Sequence, residues 1–84
     1  MKYYVGTNLE RRAVFAPEEI TVGELFSMTG FNEDFDSIGV SINGHSVDEQ
    51  DKAQVSVNEF LSQRNQPIKE PVRVVFVRAM GYVA

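Results

Sequence analysis

The chain has 84 residues, of which 43% are hydrophobic and 24% are charged, and its net charge at pH 7 is −4, so a single globular domain spanning residues 1–84 is predicted. It has no cysteine, which excludes disulfides, thiolate catalysis and cysteine-based metal sites, and makes a reducing, cytoplasmic compartment the default expectation. No apolar run approaches the ~20 residues of a membrane span, the first residues do not form a secretory signal, and a net acidic chain is a poor candidate for holding nucleic-acid phosphates, so neither a membrane nor a nucleic acid is an expected partner.

The chain begins with the pattern of a β-hairpin. Aromatic and β-branched residues in segments 2–7 and 11–16 predict two strands, which are separated by a Gly-Thr-Asn break. The second strand is expected to stop at Pro17, because proline has no amide hydrogen to give to a ladder.

A short helix is predicted over residues 22–29. Thr21 and Glu24 have the spacing of a capping box, and Gly30 can supply the left-handed residue that ends the helix. The side chains expected to face the sheet are Leu25, Phe26 and Met28.

The second half of the chain predicts a second hairpin and a central strand. Residues 38–42 alternate apolar and small side chains, and Asn43-Gly44 is a strong two-residue hairpin signal, so residues 45–47 are expected to return as a very short strand. Residues 72–77 form a near-continuous run of branched and aromatic side chains, which is typical of a strand in the middle of a sheet.

The segment between these strands has two interpretations. Ser56 and Glu59 repeat the capping-box spacing, and apolar residues follow at helical intervals, so a helical turn or two near 57–64 is predicted. The competing prediction is a strand over residues 55–57.

Together these elements predict an α+β fold with a mixed sheet of four to five strands. The first and last strands are expected to lie side by side and parallel, with the helix across one face. The segments that carry this pattern are Lys2-Tyr3-Tyr4-Val5, Phe15-Ala16-Pro17, Ile20-Thr21-Val22-Gly23-Glu24-Leu25, Val40-Ser41-Ile42-Asn43-Gly44 and Val72-Arg73-Val74-Val75-Phe76-Val77-Arg78. In these segments the chain resembles the β-grasp, or ubiquitin-like, superfamily, and it is nearest in pattern to the small sulfur carriers of thiamine and molybdopterin synthesis.

The resemblance implies a protein-binding surface on the open face of the sheet. Strand alternation, with Phe15 taken to point toward the helix, gives an apolar patch with a basic border. The residues predicted to form it are Tyr4, Arg12, Val14, Arg73, Val75 and Val77. The favoured function is therefore a non-enzymatic interaction module, an adaptor or small inhibitor that docks on another protein, and self-association as a homodimer through the same face is the alternative.

Two further functions are kept as hypotheses. Sulfur carriers and ubiquitin-type modifiers act through a C-terminal Gly-Gly, which this chain lacks, so a carrier function would require processing to expose Gly81. Ten acids between Glu18 and Glu59 oppose Lys52 alone, which suggests an acidic mimic of nucleic acid, although acidic loops that keep a small domain soluble explain the same pattern.

No catalytic residue, cofactor or metal site is predicted. His45, Ser46 and Asp48 lie close in sequence, but a hairpin rim without a pocket cannot align them as nucleophile, base and orienting group. Three neighbouring acids lack the ligand spacing and the glycine of a calcium loop: Glu33, Asp34 and Asp36.

Overall fold

Two β-hairpins, two helices and a final strand form an α+β arrangement in the computed structural model, which describes residues 1–7, 10–30 and 34–78. The strands are β1 (Lys2–Gly6), β2 (Arg11–Phe15), β3 (Ile38–Ile42), β4 (His45–Ser46) and β5 (Val72–Arg78), and the helices are α1 (Val22–Thr29) and α2 (Val57–Gln63), with a 3₁₀ turn at Phe35–Ser37. The predicted fold class and the predicted bounds of α1 are confirmed. Within the described ranges, no helix is long and apolar enough to cross a membrane.

All five strands form one mixed sheet in the order β2-β1-β5-β3-β4. The β1–β5 pair is parallel, and the other pairs are antiparallel. The last strand therefore lies at the centre of the sheet beside the first, as predicted, and the arrangement is compatible with a β-grasp-like fold.

The core lies between the sheet and the two helices. Val72, Val74 and Phe76 alternate along β5 and are buried, which confirms the predicted phase of this strand. The cluster that they join also contains Tyr3 and Val5 of β1 and, from the remaining elements and loops, Ala16, Ile20, Val22, Leu25, Ile38, Val40, Ile42, Val47, Val57, Phe60 and Leu61.

Helix α1 has the predicted caps at both ends. The Thr21 hydroxyl accepts a hydrogen bond from the Glu24 amide at 3.2 Å, and Glu24 Oε1 accepts one from the Thr21 amide at 3.0 Å. Gly30 has a φ of 73°, which is the left-handed conformation that glycine adopts at little cost.

The buried stripe of α1 differs from the prediction at one position. Leu25 is fully buried, and Phe26 is half-buried with its ring 5.1 Å from that of Phe76 in an edge-on arrangement. Met28, which was expected to face the sheet, is 54% exposed, and Thr29 is buried in its place. The Thr29 hydroxyl donates to the Phe26 carbonyl at 2.7 Å, so a polar side chain fits in the core because its hydroxyl is satisfied.

Helix α2 forms where a helical turn was predicted, but its predicted capping box is wrong. Ser56 is the N-cap residue and makes no side-chain capping bond. Instead its backbone forms an isolated β-bridge with Thr21, and the Val57 amide donates to the Ile20 carbonyl at 3.2 Å. The competing prediction of a strand over residues 55–57 is therefore wrong, since only this isolated bridge forms among those residues.

The two N-caps give a matched pair of variants. Thr21→Ala removes a side chain that satisfies a helix amide, and we expect it to lower the free energy of unfolding by about 1 kcal/mol. Ser56→Ala removes no capping bond and is expected to change it by less than about 0.5 kcal/mol. Urea unfolding followed by circular dichroism measures both, and equal losses would contradict the assignment of the caps.

Candidate functional site

The pairing of β2 with β1 decides which side chains reach the open face of the sheet, by which we mean the side that faces away from the helices. Tyr3 pairs with Val14, and Val5 pairs with Arg12. Residues directly opposite each other share a face, and Tyr3 and Val5 are fully buried under the helices. The prediction that Arg12 and Val14 point to the open face is therefore wrong.

Phe15 lies on the open face instead, opposite Lys2. The sequence interpretation took Phe15 to point inward, but the smaller Val14 and Ala16 occupy the inner positions of this segment. The connection between the strands sets this register: the Thr7 amide donates to the Glu10 carbonyl at 2.7 Å, which places Gly6 opposite Arg11.

Gly6 is required by this connection. A Cβ atom at this position would lie 2.1 Å from the Glu10 carbonyl oxygen and 2.5 Å from the Arg11 Cα atom. A glycine therefore allows the Glu10–Arg11 segment to approach the end of β1 closely.

Arg12 has a structural role on the other face. Its guanidinium forms an ion pair with Glu10 at 2.6 Å and donates to the carbonyl of Thr29 at the end of α1. A cation that binds the last carbonyls of a helix stabilises its C-terminus.

The open face carries several exposed apolar side chains. Its apolar side chains include Phe15, which is 72% exposed, and Tyr4 and Val77, which are each 41% exposed; Val75 is half-buried among them. The strand positions that register and alternation place on this face are Lys2, Tyr4, Gly6, Arg11, Ala13, Phe15, Gly39, Ser41, Ser46, Arg73, Val75 and Val77. Four of the six predicted docking residues are thus brought together: Tyr4, Arg73, Val75 and Val77.

The open face is also basic. It carries Lys2, Arg11 and Arg73, while no described strand position on it is an acid. The ion pairs between described residues, Arg12–Glu10 and Lys52–Glu49, use none of these three cations. Arg11, like Phe15, was missed as a site residue because its position depends on the β2 register, whereas Lys2 is placed on the open face by the same β1 alternation that places Tyr4 there. Glu70 lies in the loop before β5, and its Oε1 accepts from the Lys2 amide at the start of β1 at 2.5 Å.

A shallow depression of about 190 Å³ lies in the middle of the open face. Its lining residues are Tyr4, Gly6, Arg11, Arg73 and Val75. The backbone of Arg73 is held by Asn43, whose Oδ1 accepts from the Arg73 amide at 2.9 Å and whose amide donates to the Arg73 carbonyl at 2.8 Å. The depression therefore combines an aromatic ring and a branched side chain with two guanidinium groups on a firmly held backbone.

The hairpin that presents Asn43 forms as predicted. Asn43 and Gly44 have φ values of 49° and 86°, as in the two-residue turn that joins twisted antiparallel strands. Ile42 and His45 pair directly across it.

A larger depression, of about 340 Å³, has a structural hydrogen-bond network in its wall. Its lining includes Asn58, whose amide nitrogen donates to the Glu18 carbonyl at 2.6 Å and to the Tyr3 hydroxyl at 3.2 Å. The Tyr3 hydroxyl in turn donates to the Pro17 carbonyl at 2.9 Å. These bonds tie α2 and the 17–18 turn to β1, so Asn58 supports the fold.

The Tyr3 hydroxyl gives the fold a pH dependence in the alkaline range. Burial raises the pKa of Tyr3 above its ordinary value of 10.0, and the charges of Glu18, Glu19 and Glu70 act in the same direction against the hydrogen bond from Asn58. Just above pH 10 the folded chain thus retains a proton that the unfolded chain loses. The contribution of Tyr3 to the free energy of unfolding is therefore fully present below pH 10 and declines as the pH rises through the pKa of the folded state.

We expect the free energy of unfolding to fall as the pH rises above 10, and Tyr3→Phe to reduce this slope. The variant should also cost about 1 kcal/mol at neutral pH, because the hydroxyl no longer bonds to the Pro17 carbonyl. Urea unfolding from pH 7 to 11 measures both effects, with Tyr4→Phe as the control on an exposed ring. An unchanged slope in the Tyr3 variant would contradict the assignment.

The remaining candidate residues lack the geometry of a catalytic or metal site. Within the described ranges, no hydrogen bond joins His45, Ser46 and Asp48, and Asp48 Oδ1 accepts from the Gln50 amide at 3.2 Å. Asp34 instead caps the 3₁₀ turn by accepting from the Asp36 amide at 3.2 Å. The described residues contain no group of three or more His, Asp or Glu side chains that could hold a metal ion. Glu33, weighed as part of a calcium loop, and Gly81, named for the carrier hypothesis, lie outside the described residues.

Comparison with models of protein families, with curated proteins and with solved structures finds no match to this chain. Its function therefore has to be inferred from its own residues.

Proposed function

We propose that this chain is a non-enzymatic protein-interaction module that docks on a partner protein through the open face of its sheet. The observation that carries the proposal is the exposure of Phe15, Tyr4 and Val77 on one continuous face, with Val75 among them. We further propose that the chain belongs to the β-grasp superfamily, which the order of its strands and its parallel central pair support.

The exposed side chains are neighbours on the face. Tyr4 pairs with Ala13 on one side and with Arg73 on the other, and Phe15 lies two residues from Ala13 on the same strand. Diagonal positions of this kind are about 7–8 Å apart, within reach of aromatic side chains. Val75 and Val77 continue the apolar surface along β5.

The free energy available from covering this face is large enough for specific binding. Fully burying one large apolar side chain contributes about 1.5–3 kcal/mol, and aromatic residues surrounded by a polar rim are the usual anchors of protein interfaces. An enzymatic function has no comparable support, since the depression on this face is shallow and offers no nucleophile paired with a base.

The proposal predicts where a partner makes contact. A photo-crosslinking amino acid placed at position 77 should capture a partner in the native host, whereas one at Met28, which is exposed on α1, should not. With the captured protein purified, Phe15→Ser should weaken binding by roughly 10- to 150-fold, the equivalent of losing one buried anchor. Isothermal titration calorimetry measures the change.

Two further variants complete the test. Val75→Asp introduces a charge at the centre of the proposed interface and should abolish binding, while Met28→Ser removes an exposed apolar side chain outside the open face and should leave the affinity unchanged. Equal crosslinking at positions 28 and 77, or wild-type affinity in both Phe15→Ser and Val75→Asp, would refute the proposal.

A further inference from the structure

We infer that the partner presents carboxylates around an apolar anchor, and that Arg11 and Arg73 bind these carboxylates on either side of the central depression. The inference rests on the proposed function, because it concerns the chemistry of the partner that covers the open face. It goes further in assigning two arginines a specific role in recognition.

The first argument is the separation of charge in the fold. The chain as a whole is acidic, at −4, yet the open face collects Lys2, Arg11 and Arg73 and no acid at any described strand position. These cations come from the two ends of the chain and are brought together by the parallel β1–β5 pair and the β1–β2 hairpin. A partner with acidic groups is attracted to this face, and the attraction raises its association rate.

The second argument is the cost of covering these cations. A partner that buries Phe15 and Tyr4 also removes water from the guanidinium groups beside them. A desolvated cation without a counter-ion is strongly unfavourable, so a purely apolar partner would lose much of the free energy gained from the aromatic side chains. Carboxylates on the partner offset this desolvation cost, because the planar guanidinium group binds a carboxylate through two parallel hydrogen bonds.

The third argument is the position of the two arginines at the central depression. Arg11 and Arg73 both line it, together with Tyr4 and Val75. An apolar side chain of the partner can contact the tyrosine ring and the valine, while flanking Asp or Glu side chains meet the guanidinium groups. The recognised unit is therefore a short acidic segment that contains an aromatic or aliphatic residue.

Other occupants fit the charges less well. A second copy docked symmetrically through the same face would bring cations against cations, since both copies use the same surface in a two-fold interface. A nucleic acid or an anionic membrane presents an extended array of phosphates, which the acidic remainder of the chain would repel.

A random dodecapeptide library displayed on phage tests the inference with the full-length chain as target. We expect the selected peptides to be enriched in Asp and Glu next to an aromatic or aliphatic residue. A synthetic peptide of the selected sequence should bind roughly tenfold or more weakly to Arg11→Gln and to Arg73→Gln, and its affinity should fall as NaCl is raised from about 50 mM to about 500 mM. Arg64→Gln is the matched control, because it removes the same charge from a residue that stacks on Phe60 at the end of α2, and it should bind like the wild type.

Each contrary result has a distinct meaning. Selected peptides that lose binding to Val75→Asp but are not enriched in acids would overturn this inference and leave the proposed function standing. Peptides that bind Val75→Asp as well as the wild type would count against both. Failure to select any peptide, self-association that occupies the face, or tighter binding of duplex DNA or phosphatidylserine vesicles that depends on Arg11 and Arg73 would each overturn the acidic-segment inference.

Discussion

Phe76→Ala is expected to unfold the chain. Phe76 lies in the central strand, is almost fully buried, and packs edge-on against Phe26 with ring centroids 5.1 Å apart. Truncating a buried phenylalanine to alanine costs about 3–5 kcal/mol, and a domain of this size has a net stability of roughly 3–5 kcal/mol. Circular dichroism and amide proton spectra at 25 °C should therefore show a substantial unfolded population, because the loss is as large as the whole stability.

Two variants make this prediction specific. Val77→Ala changes the next residue of the same strand, on the open face, and should alter the free energy of unfolding by less than about 0.5 kcal/mol. Phe76→Leu retains most of the buried volume and should cost less than about 1.5 kcal/mol, so that its unfolding can be measured directly. Equal losses for the alanine variants at 76 and 77 would contradict the phase assigned to β5.

Lys52→Ala should have the next largest effect on stability, about 2 kcal/mol, because it removes a buried charge-assisted hydrogen bond. Lys52 is only 5% exposed. Its ammonium donates to the Ile38 carbonyl at 2.5 Å, pairs with Glu49 at 3.1 Å, and lies 5.1 Å from the centre of the Phe35 ring. The side chain thereby fixes the 48–54 loop to the start of β3.

Lys52→Met separates the ammonium from the packing of its stem. Because we expect the hydrogen bond to Ile38 to contribute most of the stabilisation by Lys52, the methionine variant should lose most of the same free energy of unfolding, as measured in urea. Glu49→Gln should cost less than about 1 kcal/mol, since the Glu49 side chain is largely exposed and such pairs are weak. A methionine variant as stable as the wild type would show that the ammonium does not stabilise the fold.

Local signals in the sequence were sufficient to predict the elements whose ends are marked by specific residues. The capping residues of α1 and the turn at Asn43-Gly44 each depend on neighbours a few residues away, and both form as predicted. The unbroken apolar run of β5 also predicted its central place, because a strand buried among neighbours needs few polar residues.

The face of β2 could not be predicted in this way. Alternation gives the period of a strand but not its phase, and the phase of β2 follows from the connection at Thr7–Glu10 and from the burial of Ala16. A one-residue shift exchanges every side chain between the two faces. The sequence interpretation accordingly selected Arg12 and Val14 for the docking site in place of Arg11 and Phe15.

Lys52 illustrates a second limit. In the sequence it is one cation in a polar segment, with no sign of burial. Its main partner, the Ile38 carbonyl, lies 14 residues away, so the burial of this lysine follows from tertiary structure alone.

The central position of β5 has a consequence for how the chain assembles during synthesis. Before Val72–Arg78 has left the ribosome, β1–β2 and β3–β4 can form only as two separate hairpins, and an isolated hairpin in water is marginally stable at best. Each would expose the inner edge that β5 later covers, and unpaired edges of this kind favour aggregation. Nascent chains that stall before residue 72 are therefore expected to aggregate more readily than the folded protein.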